Sequence, residues 1–286
     1  MPSKISIILP ARNEAASLRS LLPEIVAQLP EAELIVVNDG STDDTEEICR
    51  RYGASIITHP YGMGNGAAVK FGAREAQGDI LVFMDADGQH QPQDIPRLLE
   101  KLALGYDMVV GARDKDSQAG LHRACANGFY NLLASWMVGQ KVADLTSGFR
   151  AVRANKFRKF LYMLPNGFSY PTTITMCFFR AGYPVGYVPI HAPKRIGNSH
   201  LRIVRDGVRF LLIIFKIGSL YSPLKLFFPI TLFFFLMGLA HYFYTFLTIH
   251  RFTNMSALLF ITAVLIFLIG LVSEQITMLA YKGSED

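Results

Sequence analysis

The chain has 286 residues, enough for one large domain or two smaller ones, and 51% of them are hydrophobic, with a mean hydropathy of +0.27. That apolar share is high for a purely soluble protein. Net charge is +5 and the isoelectric point is near 9.1, yet no nucleic-acid module is present to use that charge. Cys49, Cys125 and Cys177 are scattered without disulfide or metal spacing, which excludes a cysteine framework and suits a reducing compartment.

In chain order, Met1 to Lys4 lead into only five apolar residues, Ile5 to Leu9, too few for a cleavable signal core. The first 200 residues are therefore expected to stay in the cytoplasm. Lys4 to Leu9 reads as a strand, Glu14 to Leu29 as helical with a break at Pro23, and Glu33 to Asn38 as a strand. Asp43 to Tyr52 reads as a helix capped by Ser41 or Thr42, Ala54 to Thr58 as a strand, and Asn65 to Gln77 as a helix. Ile80 to Met84 is the fourth strand. Such strand–helix units imply a mostly parallel sheet, in which ligands bind beyond the carboxyl ends of the strands.

Polar clusters stand at those ends. Pro10-Ala11-Arg12-Asn13-Glu14 follows the first strand, Asn38-Asp39-Gly40-Ser41 the second, His59 to Gly66 the third, and Asp85-Ala86-Asp87-Gly88 the fourth. Alternation along an extended chain puts Asp85 and Asp87 on one side, and two carboxylates held that close call for a cation. Hard oxygen donors select Mg2+ or Mn2+ over zinc. Arg12, Glu14, Asp39, the nearby Lys70, Asp85 and Asp87 are expected to converge on one crevice that takes a nucleotide diphosphate. A rival is the run Gly62-Met63-Gly64-Asn65-Gly66-Ala67, which has the form of a dinucleotide fingerprint. The paired aspartates at the next strand end weigh against it, since a dehydrogenase has no use for the metal.

Beyond residue 200 the composition changes. Arg202, Arg205, Arg209 and Lys216 fall within one narrow arc at 100° per residue, opposite an apolar side, as in a helix lying at a bilayer interface. Leu226 to Ile249 and Met255 to Ser273 carry no charge, and each is long enough to span a hydrocarbon core. Lys194 to Lys225 holds seven Lys or Arg and one acid, whereas Thr248 to Asn254 holds Arg251 alone. By the positive-inside tendency the large domain and the tail both face the cytoplasm, and the basic balance is a membrane-surface signal.

The ordered series Pro10-Ala11-Arg12-Asn13-Glu14, Asn38-Asp39-Gly40-Ser41, Asp85-Ala86-Asp87 and Gly148-Phe149-Arg150 resembles glycosyltransferase family 2. With the C-terminal spans it is most similar to the polyprenyl-phosphate, dolichol-phosphate-mannose-synthase-like branch. The resemblance implies an α/β fold of GT-A type, a Rossmann-like, mostly parallel sheet, over residues 1–200. An interfacial amphipathic helix would follow over 201–222, then a membrane domain over 223–286 with transmembrane helices at about 226–249 and 255–280. It also implies a UDP- or GDP-linked sugar as donor, a polyprenyl phosphate as acceptor, a divalent cation, and a possible homo-oligomer.

By the same resemblance Asp39 contacts the nucleobase, Pro10, Ala11, Arg12 and Glu14 line the nucleoside pocket, and Asp85, Asp87 and Gln89 hold the metal. Arg113, Arg123 and Asn127 grip the acceptor phosphate, and Arg195 folds over the diphosphate. In one departure, Gly167-Phe168-Ser169-Tyr170-Pro171-Thr172-Thr173 carries no carboxylate where many family members do, so no general base is expected there. A phosphate monoester, with its second pKa near 6, is already a dianion at neutral pH and needs none. Alternatives are a processive polysaccharide synthase, for which two spans are too few and whose Gln-x-x-Arg-Trp motif is missing around the sole Trp136, another membrane acceptor, and a non-catalytic membrane anchor.

Overall fold

Seven strands form one sheet: β1 (Ile5–Ala11), β2 (Glu33–Asn38), β3 (Ser55–Thr58), β4 (Ile80–Phe83), β5 (Met108–Arg113), β6 (Arg150–Arg153) and β7 (Val185–Ile190). Their order is β3-β2-β1-β4-β6-β5-β7. All neighbours are parallel except β6, which runs antiparallel to both β4 and β5. The structure is a computed structural model that describes residues 3–114, 121–167, 169–191, 218–219 and 222–282, with backbone only for 121–127 and 280–282. The chain divides into two compact units, Met1–Leu201 and Arg202–Asp286.

The central strands are apolar on both faces because helices cover both. On one face Ile7, Leu9, Val36 and Val82 pack with residues of α1 (Ala15–Gln28), α2 (Thr45–Arg51) and α4 (Ile95–Ala103). The other face carries Ile8, which meets α3 (Asn65–Glu75) at Gly72, and Phe83, which packs at a tilt against Phe157 of α6 (Ala154–Arg158). A Cβ at Gly72 would collide with the Ile8 side chain, so this glycine sets how closely α3 lies on the sheet. Helix α5 covers Leu121–Val138 and α7 covers Tyr170–Arg180.

Two local expectations fail. No break occurs at Pro23: α1 runs through it, with Leu18, Leu21, Leu22 and Ile25 buried on both sides of the proline. Burial of that apolar stripe outweighs the one backbone donor the proline lacks. Neither Ser41 nor Thr42 caps α2, which begins at Thr45 after Asp44. Ser41 Oγ instead accepts from the Asn13 amide (2.9 Å), and Asn13 Oδ1 accepts from the Thr42 amide (2.8 Å). The loops after β1 and β2 are thereby latched together.

In the second unit, α8 (Pro223–Ile249) and α9 (Asn254–Lys282) form a hairpin. Both are long and apolar enough to cross a membrane. Their apolar side chains point largely outward, Leu247 being 74% and Leu279 71% exposed, as suits a lipid solvent. Gly238 lies against Leu259 and Phe260, and Gly270 against Phe227; small residues let the two backbones approach. Glu274 of α9 accepts from the Leu224 amide (3.2 Å), capping the start of α8. The expected amphipathic helix at 201–222 lies almost wholly outside the described residues.

Candidate active site

Strand β1 has β2 on one side and β4 on the other, so the order of the sheet reverses there. Chains leaving the two neighbours diverge and open a crevice beyond the strand ends. That crevice is a cleft of ≈ 350 Å³. Pro10, Ala11, Arg12 and Glu14 line it from β1, Asp39 from β2, and Asp85, Ala86 and Asp87 from β4. The start of α3 adds Gly64, Asn65 and Ala68.

Asp39 is 4% exposed and its carboxylate is committed within the protein. Its Oδ1 accepts from the Met63 amide (2.7 Å) and pairs with His59 Nδ1 (2.8 Å), and its Oδ2 accepts from the Gly64 amide (2.8 Å). Burial would raise its pKa, but the His59 and amide donors more than offset this and hold it below the usual carboxylate range. Asp39 therefore shapes the 59–64 loop as well as the cleft wall. That loop packs on Arg12, whose guanidinium lies where a Cβ at Gly62 would fall.

The two aspartates stand past the end of β4, on the turn that Gly88 closes with φ 74°, so strand alternation is not what pairs them. The Gln89 amide donates to Asp87 Oδ1 (3.1 Å) and fixes the turn. Behind it lies the buried His90, stacked on Phe149 (centroids 5.1 Å apart), its Nδ1 accepting from the Asp85 amide (3.3 Å). Burial pulls the His90 pKa down, in keeping with a neutral ring whose Nδ1 accepts. Gly148 abuts Asp85 from the other side: a Cβ there would come within 2.6 Å of Oδ2. A smaller cavity of ≈ 90 Å³, lined by Asn65, Thr146, Gly148, Ser169 and Thr172 among others, shares Asp85 with the cleft.

These donors fit a hard divalent cation. Among the described residues no third His, Cys, Asp or Glu joins Asp85 and Asp87 in a cage, which leaves coordination positions for water and phosphate oxygens, as Mg2+ or Mn2+ prefers.

Among the described residues, Gln89, Lys70 and Arg113 do not line the cleft. The Gln89 amide serves the turn. Lys70 reaches away to Asn166 Oδ1 and the Leu164 carbonyl (3.1 Å). Arg113 is held by Asp144 through Nε (2.8 Å) and Nη2 (3.0 Å), and by Thr146 Oγ1 (2.6 Å). Arg123 and Asn127 fall on α5 where only the backbone is described, and Arg195 lies outside the described residues. Two amides in the first turn of α3 are already used: Gly66 donates to the Gly167 carbonyl (3.3 Å) and Ala67 to that of Asn166 (2.8 Å). They are not free for a pyrophosphate, which weighs further against the dinucleotide reading. His59, His90, Asp144 and Thr146 were not singled out from sequence; a lone buried histidine carries no local pattern, and Asp-x-Thr-Ser reads only as a turn.

Residues 6–161 match the family model Glycosyl transferase family 2, more than half of the chain. The chain belongs to glycosyl transferase family 2. The hairpin of this family 2 protein, residues 222–279, matches the GtrB C-terminal hairpin. Glycosyltransferase AglJ of Haloferax volcanii is 27% identical over 230 residues, 78% of this chain and 75% of AglJ. The undecaprenyl-phosphate 4-deoxy-4-formamido-L-arabinose transferase of Pseudomonas fluorescens is 33% identical over 190 residues, 59% of this chain and 55% of that protein. The chain thus spans about half the length of that transferase. In fold it is similar to glucosyl-3-phosphoglycerate synthase from Mycobacterium tuberculosis, solved with Mn2+, UDP and glucosyl-3-phosphoglycerate, with a TM-score of 0.61, 23% identity, and coverage of 76% of this chain and 80% of that one.

Proposed function

We propose that this protein moves one sugar from a nucleotide-diphosphate sugar to a polyprenyl phosphate at the cytoplasmic face of a membrane, with inversion at the anomeric carbon. The observation that carries the reading is the placement of Asp85 and Asp87 in the same cleft as the Pro10–Glu14 cluster and Asp39. A nucleoside can occupy the β1–β2 side of that cleft while its diphosphate reaches the two carboxylates. The Pseudomonas relative is a transferase to undecaprenyl phosphate, which supports a lipid phosphate as acceptor, as do the two helices long and apolar enough to cross a membrane.

In the mechanism, Asp85 and Asp87 would hold the divalent ion, Mg2+ or Mn2+, which would supply positive charge against the departing diphosphate. Glu14 and Arg12 line the nucleoside end of the cleft. Arg113 presents the acceptor: a phosphate oxygen attacks the anomeric carbon as the bond from that carbon to the nucleotide diphosphate oxygen breaks. The attacking phosphate is already ionised at neutral pH, so no proton has to leave it and the residues supply positioning and charge. Arg123 and Asn127 complete the acceptor grip, and Arg195 covers the diphosphate. Residues 1–200 act as the catalytic domain, 201–222 as the interfacial segment and 223–286 as the membrane hairpin, with the tail on the catalytic side.

The test is to incubate the purified protein with polyprenyl phosphate, Mg2+ or Mn2+ and a panel of radiolabelled UDP- and GDP-sugars. Label is expected in the organic phase with one nucleotide sugar. Label found only in polymer or only as free sugar would overturn the reading.

A further inference from the structure

Asp144 lies between the end of α5 and β6 and is 3% exposed. Its oxygens serve two sets of donors. Oδ1 accepts from the Thr146 amide (3.0 Å) and the Ser147 amide (3.1 Å), closing the turn that leads into Gly148. Both oxygens also face Arg113: Nε donates to Oδ2 at 2.8 Å and Nη2 to Oδ1 at 3.0 Å, a parallel two-point pairing. The second hydrogen of Nη2 goes to Thr146 Oγ1 at 2.6 Å, and Thr146 lines the small cavity that holds Asp85. Three of the five guanidinium N–H groups are thus committed, and the planar fork fixes where the other two point. Those two are on Nη1, which has no hydrogen-bond partner among the described residues.

We propose that Asp144 is the positioning residue for Arg113, holding one edge of the guanidinium so that Nη1 stays presented to an oxygen of the acceptor phosphate. This rests on the reading of Arg113 as a phosphate ligand. A free arginine side chain would pay rotamer entropy each time an acceptor bound; a guanidinium already locked in the bound pose does not. The pairing also keeps a buried carboxylate from standing alone, so each partner needs the other.

Asp144→Asn keeps an Oδ1 to accept from the Thr146 and Ser147 amides while removing the charge and the second carboxylate oxygen, which accepts from Arg113 Nε and from the Arg113 amide (3.3 Å), so the turn is kept while the hold on Arg113 is loosened. Arg113→Met, Asp144→Asn and the double variant are compared for KM toward polyprenyl phosphate and for UDP binding by calorimetry. Asp144→Asn is expected to raise the acceptor KM about 10-fold, with UDP affinity unchanged and the double variant no worse than Arg113→Met alone. Thr146→Val, which removes one tether and no charge, is expected to raise KM about 3-fold and carries the test should Asp144→Asn fold poorly. Two results would overturn the proposal. One is a wild-type acceptor KM in Asp144→Asn, or in Thr146→Val if that variant stands in for it, while Arg113→Met raises it. The other is additive losses in the double variant. An unchanged acceptor KM in Arg113→Met would instead refute the underlying assignment of Arg113.

Discussion

At the scale of single residues, the site depends on how tightly Asp85 is walled in. Gly148 touches its carboxylate so closely that a methyl group would fall 2.6 Å from Oδ2, so Gly148→Ala must push Asp85 aside. The expected result is Mn2+ affinity weaker by about 10-fold, read by electron paramagnetic resonance of free Mn2+ with no substrate present. Asp87→Ala, which removes a donor outright, should abolish metal-dependent transfer and leave membrane insertion intact; unchanged turnover would remove the metal role. Asp39 tests the opposite wall. Its folded pKa lies below the ordinary value because His59 and two amides favour the charged form over the effect of burial. The stability this contributes is full above about pH 4, the unfolded value, and is lost as pH falls through the lower folded value. Asp39→Asn should therefore flatten the acid limb of a Tm-against-pH curve below about pH 4. An acid limb identical to wild type would show that the three donors do not favour the charged form.

At the scale of elements, the first four strands were legible because each is a short apolar run ended by polar or turn residues, and β1, β2 and β4 lie where those runs lie, whereas β6 and β7 were not read from the sequence. What misled was local chemistry with two solutions. Ser41 and Thr42 have good capping side chains, yet the latch to Asn13, in the left-handed region at φ 56°, takes them. Pro23 is a helix breaker by itself, yet the buried leucines around it hold α1 continuous. Asp85 and Asp87 were found through their spacing, although a turn and not a strand pairs them. Helix α3 gives an element-level prediction. Gly72 sits in contact with Ile8 and Val37, so Gly72→Ala should cost about 2 kcal/mol and lower Tm by about 5 °C in a thermal melt. No change in Tm would mean that α3 can rise off the sheet without loss.

At the scale of the whole molecule, the sequence divides its chemistry into a polar, motif-bearing part and an apolar hairpin, and the chain divides into two compact units, Met1–Leu201 and Arg202–Asp286. The distribution of basic residues, seven Lys or Arg from Lys194 to Lys225 against Arg251 alone between the spans, predicts orientation. A reporter inserted after Thr253 should lie on the far side of the membrane, and one fused after Asp286 on the same side as the N-terminus. Reporters on the same side would refute a two-span hairpin.

The order of elements through the fourth strand, the polar strand ends and the two long apolar runs were determined by the sequence alone, because each is written in contiguous residues whose periodicity and charge are local properties. Only the tertiary structure decided which polar groups are spoken for. Lys70 and Arg113 look equally available as cations along the chain, but one is tied to Asn166 and the other to Asp144, partners 96 and 31 positions away. Hydrogen bonds over such separations depend on how strands are ordered in the sheet, and no short stretch of chain encodes that.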